Sequence, residues 1–155
     1  MKPIALLIIL CLTVSYSVNA QKVFEWSEYG LTFDLADDFA ETVNNEQEFS
    51  VDGDGMSVSI FPFNDATIDD HDITAYTIAA AAALNLDGID DINLIELNGF
   101  KGGYTEGVQN GVKVFIMGLI NPDSDVNFFV LISFSDGDGL ATQEAINICQ
   151  GLHKS

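Results

Sequence analysis

The densest group of side chains able to hold an ion is Asp65, Asp69, Asp70 and His71, with Asp72 immediately after. Carboxylate oxygens beside an imidazole offer hard and borderline donors to a divalent cation. A second acidic group, Asp87, Asp90 and Asp91, follows beyond a predicted helix and would complete a site if the fold brings the two together. These seven residues are the candidate metal ligands, with calcium the ion in view. Two features weigh against them. One histidine is a thin ligand set, and Asp72 reads as a helix N-cap, where the helix dipole repels cations.

Other patterns suggest chemistry less well. Asp52-Gly53-Asp54-Gly55 and Asp136-Gly137-Asp138-Gly139 resemble fragments of calcium loops. An EF-hand needs an oxygen ligand at its fifth position and glycine at its sixth. Those places hold Met56 and Ser57 in one case, Leu140 and Ala141 in the other, so both motifs read as turn and capping residues. Gly99-Phe100-Lys101-Gly102-Gly103-Tyr104 lacks the Gly-Lys-Ser/Thr ending of a phosphate loop and runs into a strand, so a twisted or bulged strand is expected. No serine sits in a Gly-x-Ser-x-Gly elbow, and of the histidines His71 lies in the acidic segment and His153 near a terminus expected to fray. With 24 acids, any chosen carboxylate pair for glycoside hydrolysis carries no information. Phe24, Trp26, Tyr29, Phe61, Phe63, Phe100 and Tyr104 alternate along strands and read first as core, second as a binding face. No catalytic residue is assigned.

The elements that must position these groups are mostly strands. Val23–Trp26 and Leu31–Leu35 open the fold, the latter alternating apolar and polar residues. Residues 36–48 are polar and acidic and read partly as loop and partly as a strand that ends in Phe49-Ser50-Val51. The Asp-Gly turn then predicts a hairpin to Met56–Phe63, with Pro62 marking an edge or the strand's end. Ile73, Tyr76, Ala80 and Leu84 fall on one face of a helix reaching about Asn85, and the alanines at 79–83 allow close packing on a sheet. Four strands follow, Ile92–Leu97, Phe100–Val108, Val112–Ile120 and Val126–Ser135, the first three linked by Asn98-Gly99 and Asn110-Gly111. Phe128–Ile132 is apolar on both faces, as in a central, covered strand. A second helix spans about Leu140–Leu152. The class is α+β: a mostly antiparallel sheet with two main helices packed on it.

Composition sets the address and the partners. A basic start, an apolar run from Ile4 to Leu12 and the ending Val18-Asn19-Ala20 read as a secretory signal peptide cleaved near Ala20. That leaves residues 21–155 as a single domain, secreted or periplasmic, with no stable membrane insertion once the signal is gone. Cys11 lacks the small preceding residues of a lipidation site, and Cys149 alone forms no internal disulfide. All 24 acids follow residue 20, against Lys22, Lys101, Lys113 and Lys154 and no arginine, so residues 21–155 carry a formal charge of 4 − 24 = −20. Such a field excludes nucleic acid and disfavours anionic lipid, while it suits a basic protein partner.

The order of elements resembles the PsbP-like fold, shared by the extrinsic PsbP protein of photosystem II, Ran-binding Mog proteins and exported proteins of the DcrB type. The matching pieces are Tyr29-Gly30-Leu31-Thr32-Phe33, the hairpin through Met56–Phe63, the helix from Ile73, Asn98-Gly99-Phe100, Gly103-Tyr104 and the final helix. Ala36-Asp37-Asp38-Phe39 stands where the fold usually has a proline-tryptophan pair. The resemblance implies a non-enzymatic binding or adaptor domain without a cofactor, and no functional residue carries over. Cation binding and a small extracellular hydrolase are the alternatives.

Overall fold

Burial alternates with period two along β-type runs such as Leu31–Ala36 and Met56–Ile60, and strands dominate the result. The computed structural model describes residues 21–53, 55–63, 72–135 and 139–155. Among them are β1 (Gln21–Trp26), β2 (Leu31–Ala36), β3 (Ala40–Asn44), β4 (Phe49–Gly53) and β5 (Met56–Phe63). Then come α1 (Ile73–Ala83), β6 (Asn93–Leu97), β7 (Phe100–Gln109), β8 (Val112–Ile120), β9 (Asn127–Phe134), α2 (Ala141–Gln150) and β10 (Leu152–Lys154). Seven strands form a sheet in the order β3-β4-β5-β9-β8-β7-β6, and three form a second, β1-β2-β10. Every pairing is antiparallel. This is the expected α+β architecture.

Local chemistry explains the turns. Asn110 (φ 52°) and Gly111 (φ 81°) both occupy the left-handed region, which a two-residue hairpin of this hand requires. The β9 strand sits fourth of seven, so both its faces need cover. Phe128, Val130, Ile132 and Phe134 enter one core, while Phe129 and Leu131 face another.

The larger core lies between the two sheets. Phe24 and Trp26 of β1 and Phe33 of β2 surround Phe49, which stacks on Phe33 with ring centroids 5.1 Å apart. Trp26 is buried and its indole N–H donates to the Asn45 carbonyl at 2.7 Å, so the large ring leaves no polar atom unmatched. Ala141, Ala145 and Cys149 of α2 close this core.

The opposite face carries α1. Asp72 caps it as expected, accepting from the Ala75 N–H at 3.0 Å. The helix lies on β7 and β8 at glycines: a Cβ on Gly103 would stand 2.8 Å from Thr77 Oγ1, and one on Gly118 2.7 Å from Tyr76 Cδ1. Gly103 and Gly118 therefore serve the close approach of α1, while a Cβ on Gly102 would stand 2.6 Å from Ile95 Cγ2. The register of β7 with both neighbours runs without the expected bulge.

Two other expectations need correction. The stretch from 36 to 53 holds two strands rather than one, with β3 held to β4 across a bulge between Glu41 and Val43. The last helix stops at Gln150 because Gly151 turns the chain and accepts from the Asp34 N–H at 3.3 Å, placing Leu152–Lys154 beside β2. His153 thus sits in a paired strand, not a fraying end. Asn98 Nδ2 donates to the Leu152 carbonyl at 2.8 Å, and Lys154 Nζ reaches Asp123 at 2.9 Å.

Candidate interaction surface

The predicted ligands divide between what is described and what is not. Asp65, Asp69, Asp70 and His71 lie outside the described residues, as do Asp54, Asp136 and Asp138 of the turn motifs. Asp87, Asp90 and Asp91 are described, exposed, and strung along a backbone run that flanks β7. Asp87 exchanges two backbone hydrogen bonds of 2.8 Å with Val108, and the Asp90 N–H donates to the Glu106 carbonyl at 3.0 Å. Thr105 Oγ1 donates to the Asp90 carbonyl at 2.8 Å. The three carboxylates therefore lie along the flank of β7. Among the described residues no group of three or more acids, histidines or cysteines is placed to hold a metal ion.

Of the histidines considered for hydrolysis, His71 lies outside the described residues. His153 Nε2 lies 3.7 Å from Asp34 Oδ2 on the open face of the small sheet, with both side chains over two-fifths exposed. An exposed pair of that kind contributes well under about 1 kcal/mol. Ser50 is buried with its hydroxyl 2.5 Å from Glu48 Oε1 and 2.7 Å from Ser59 Oγ, partners that satisfy it without an imidazole. Cys149 is also buried, and loss of solvent pushes its thiol far above the usual range. Iodoacetamide at about pH 8 is expected to leave Cys149 unmodified in the folded protein and to alkylate it fully in denaturant. Labelling at equal rates in both states would contradict that placement.

Most of the aromatics are core. Phe24, Trp26 and Phe100 are buried, while Tyr29 and Tyr104 pack against the same core from its rim. Tyr29 donates to the Glu46 carbonyl at 2.7 Å, and its hydroxyl pKa is raised by partial burial and then by Glu28 and Glu46. Phe61 and Phe63 stay partly exposed at the end of β5. Strongly exposed apolar side chains are scattered elsewhere: Leu140, Val23, Ile78, Val112, Leu94, 67% exposed on β6, and Ile89, 43% exposed just before it. The sequence places Leu94 in the strand Ile92–Leu97 without assigning its exposure. The signal for exposure is its company, since Asp90, Asp91, Asn93 and Glu96 fill the same run with polar groups.

A groove of about 290 Å³ between β2 and α2 is lined by Asp34, Ala36, Phe39, Glu144 and Ile148. A second cavity, of about 330 Å³, lies beside Leu94 over Ile73, Ile95 and Gly102, with Glu96 and Lys101 at its rim. No described helix is long and apolar enough to cross a membrane.

Solved structures share this arrangement. The Saccharomyces cerevisiae Ran-binding protein Mog1p superposes with a TM-score of 0.60 at 11% identity, over 88% of this chain and 96% of that one. The cyanobacterial PsbP of Synechocystis gives 0.57 at 8% identity, over 91% and 96%. LpqN of Mycobacterium tuberculosis, described as involved in cell envelope biogenesis, gives 0.52 at 14% identity, over 84% and 87%. A protein from Bacteroides thetaiotaomicron gives 0.54 at 15% identity, and there this chain spans only 48% of its length. No family profile matches the sequence, and no curated protein does. The chain has the PsbP/Mog1 fold.

Proposed function

We propose that this protein is an exported, non-enzymatic binding or adaptor domain that works on a basic protein partner in the cell envelope or outside the cell. The observation that carries the reading is the end-to-end correspondence with Mog1p, a protein named for binding Ran, over 88% of one chain and 96% of the other. LpqN, tied by its description to the envelope, shares the architecture and supports the location. Fold likeness alone is analogy, so the surface must supply the physics. Of the described lysines, Lys113 is 2.8 Å from Glu106 and Lys154 is 2.9 Å from Asp123. Half of the positive charge is thus answered locally, and the remaining field is strongly negative. Such a field accelerates encounter with basic surfaces and rejects acidic ones.

The test is capture from an envelope fraction at low and at high salt. One basic protein is expected to be retained in stoichiometric amount and released as ionic strength rises. The protein recovered from cells is expected to begin at Gln21. A chain still starting at Met1 in the cytosolic fraction would sink the export reading. Hydrolysis of a test ester, peptide or glycoside that survives repurification would replace the adaptor with an enzyme.

A further inference from the structure

The large sheet ends on one side at β6, an edge strand among the described residues. From Asp87 to Leu97 the chain lies along β7, first through the Asp87–Val108 bridge and the Asp90–Glu106 hydrogen bond, then residue for residue through β6. No described strand pairs with its outer side. Proteins usually protect such edges with bulges, prolines or lysines. The edge at β3 has a bulge. At the β6 edge the chain takes six residue steps from Asp87 to Asn93 against four from Val108 to Tyr104, with Gly88 at φ 63°. The β6 strand itself pairs in regular register without proline or lysine. The run from 87 to 97 exposes Ile89 and Leu94, with the apolar cavity over Ile73 and Ile95 beside Leu94.

Charge adds to its protection. Asp87, Asp90, Asp91 and Glu96 are all exposed, and none makes an ion pair among the described residues. Carboxylates at this density repel a second copy, which would bring the same four acids to the same edge. They attract a strand of opposite sign. Charge therefore selects the occupant that the unpaired backbone and the cavity leave open.

Resting on the binding role proposed above, we propose that residues 87–97 form a docking edge for an extended, basic segment of a partner protein. The segment adds as a further strand beside β6. Its backbone pairs with the outward N–H and C=O groups, one apolar side chain enters the cavity next to Leu94, and lysines or arginines face the four carboxylates.

The probe is a set of ten-residue peptides alternating lysine with valine, leucine or phenylalanine, titrated into the isotopically labelled protein up to about 1 mM. Matched peptides replace each lysine by glutamate, or each apolar residue by proline. The lysine peptides are expected to shift amide resonances of residues 87–97 and their β7 partners, while the glutamate and proline peptides do not. The double variant D90K/E96K is expected to lose at least tenfold in affinity, and D37K/D38K, which reverses two exposed acids elsewhere, less than twofold. Equal binding of the proline peptide, or equal loss in D37K/D38K, would show diffuse attraction and overturn the edge. So would shifts confined to other strands, or no binding by any lysine peptide. Concentration-dependent shifts at 87–97 without peptide would make a second copy the occupant and reject the basic partner. A partner captured from the envelope and still bound by D90K/E96K would reject the edge while leaving the adaptor role standing.

Discussion

Replacing Phe49 by alanine is expected to destabilise the protein by about 3–5 kcal/mol, the range for deleting a fully buried phenylalanine. Phe49 is fully buried in β4, stacked on Phe33 at 5.1 Å and within 6.3 Å of the ring centroids of Phe24 and Trp26. Its ring meets rings of both β1 and β2. Its removal opens a void that two backbone layers cannot close, because each layer is fixed by its own ladder. In a domain of this size the loss corresponds to a fall in Tm on the order of 10–15 °C. Phe49→Leu, which refills most of the space, is expected to lose less than half as much. Val23→Ala, at a side chain 65% exposed on β1, is expected to stay within about 0.5 kcal/mol. Chemical denaturation of the three variants checks the ranking, and a Phe49→Ala loss below that of Phe49→Leu would mean that the sheets do not meet at this ring.

That aromatic layer also marks the limit of what the sequence makes legible. Asn110-Gly111 announces its hairpin because a left-handed turn depends on two residues alone. Phe128 to Ile132 announces a central strand because both faces need apolar cover, wherever that cover comes from. The β3 strand announces nothing: Ala40 to Asn44 stay mostly exposed, and only pairing with β4 makes them a strand. The β10 strand is three residues long, and its identity depends on β2, more than a hundred residues earlier. The candidate site follows the same division. Asp87, Asp90 and Asp91 stand out in composition, yet their position on an open sheet edge comes from contacts with Thr105, Glu106 and Val108, which no local pattern encodes. A sequence window displays turns and faces; it does not display which strand ends a sheet.

Gly118→Val sets local preference against packing, and the two predict opposite signs. Valine is among the better strand formers and glycine among the poorer, so propensity alone predicts a gain of up to about 1 kcal/mol in β8. Packing predicts a loss. A Cβ here would stand 2.7 Å from Tyr76 Cδ1 and 3.0 Å from Thr77 Oγ1, and valine adds two methyl groups beyond it. Tyr76 cannot swing away, because its hydroxyl donates to the Phe63 carbonyl at 2.8 Å and its ring lies 4.9 Å from that of Phe129. The helix must lift instead, which would pull Thr77 from the Gly103 carbonyl, 2.9 Å away, and admit water beside Ala80 and Ala81. We expect overpacking to win with a net loss of about 3 kcal/mol, seen as a lower denaturation midpoint and faster amide exchange along α1. Gly139→Ala, where an added Cβ meets nothing within 4 Å, is the neutral control. Pairing Gly118→Val with Tyr76→Ala should cost less than the sum of the two, since the same clash is relieved once the ring is gone. A more stable Gly118→Val protein would mean that α1 does not rest on this glycine, and the close approach of helix and sheet would have to be abandoned.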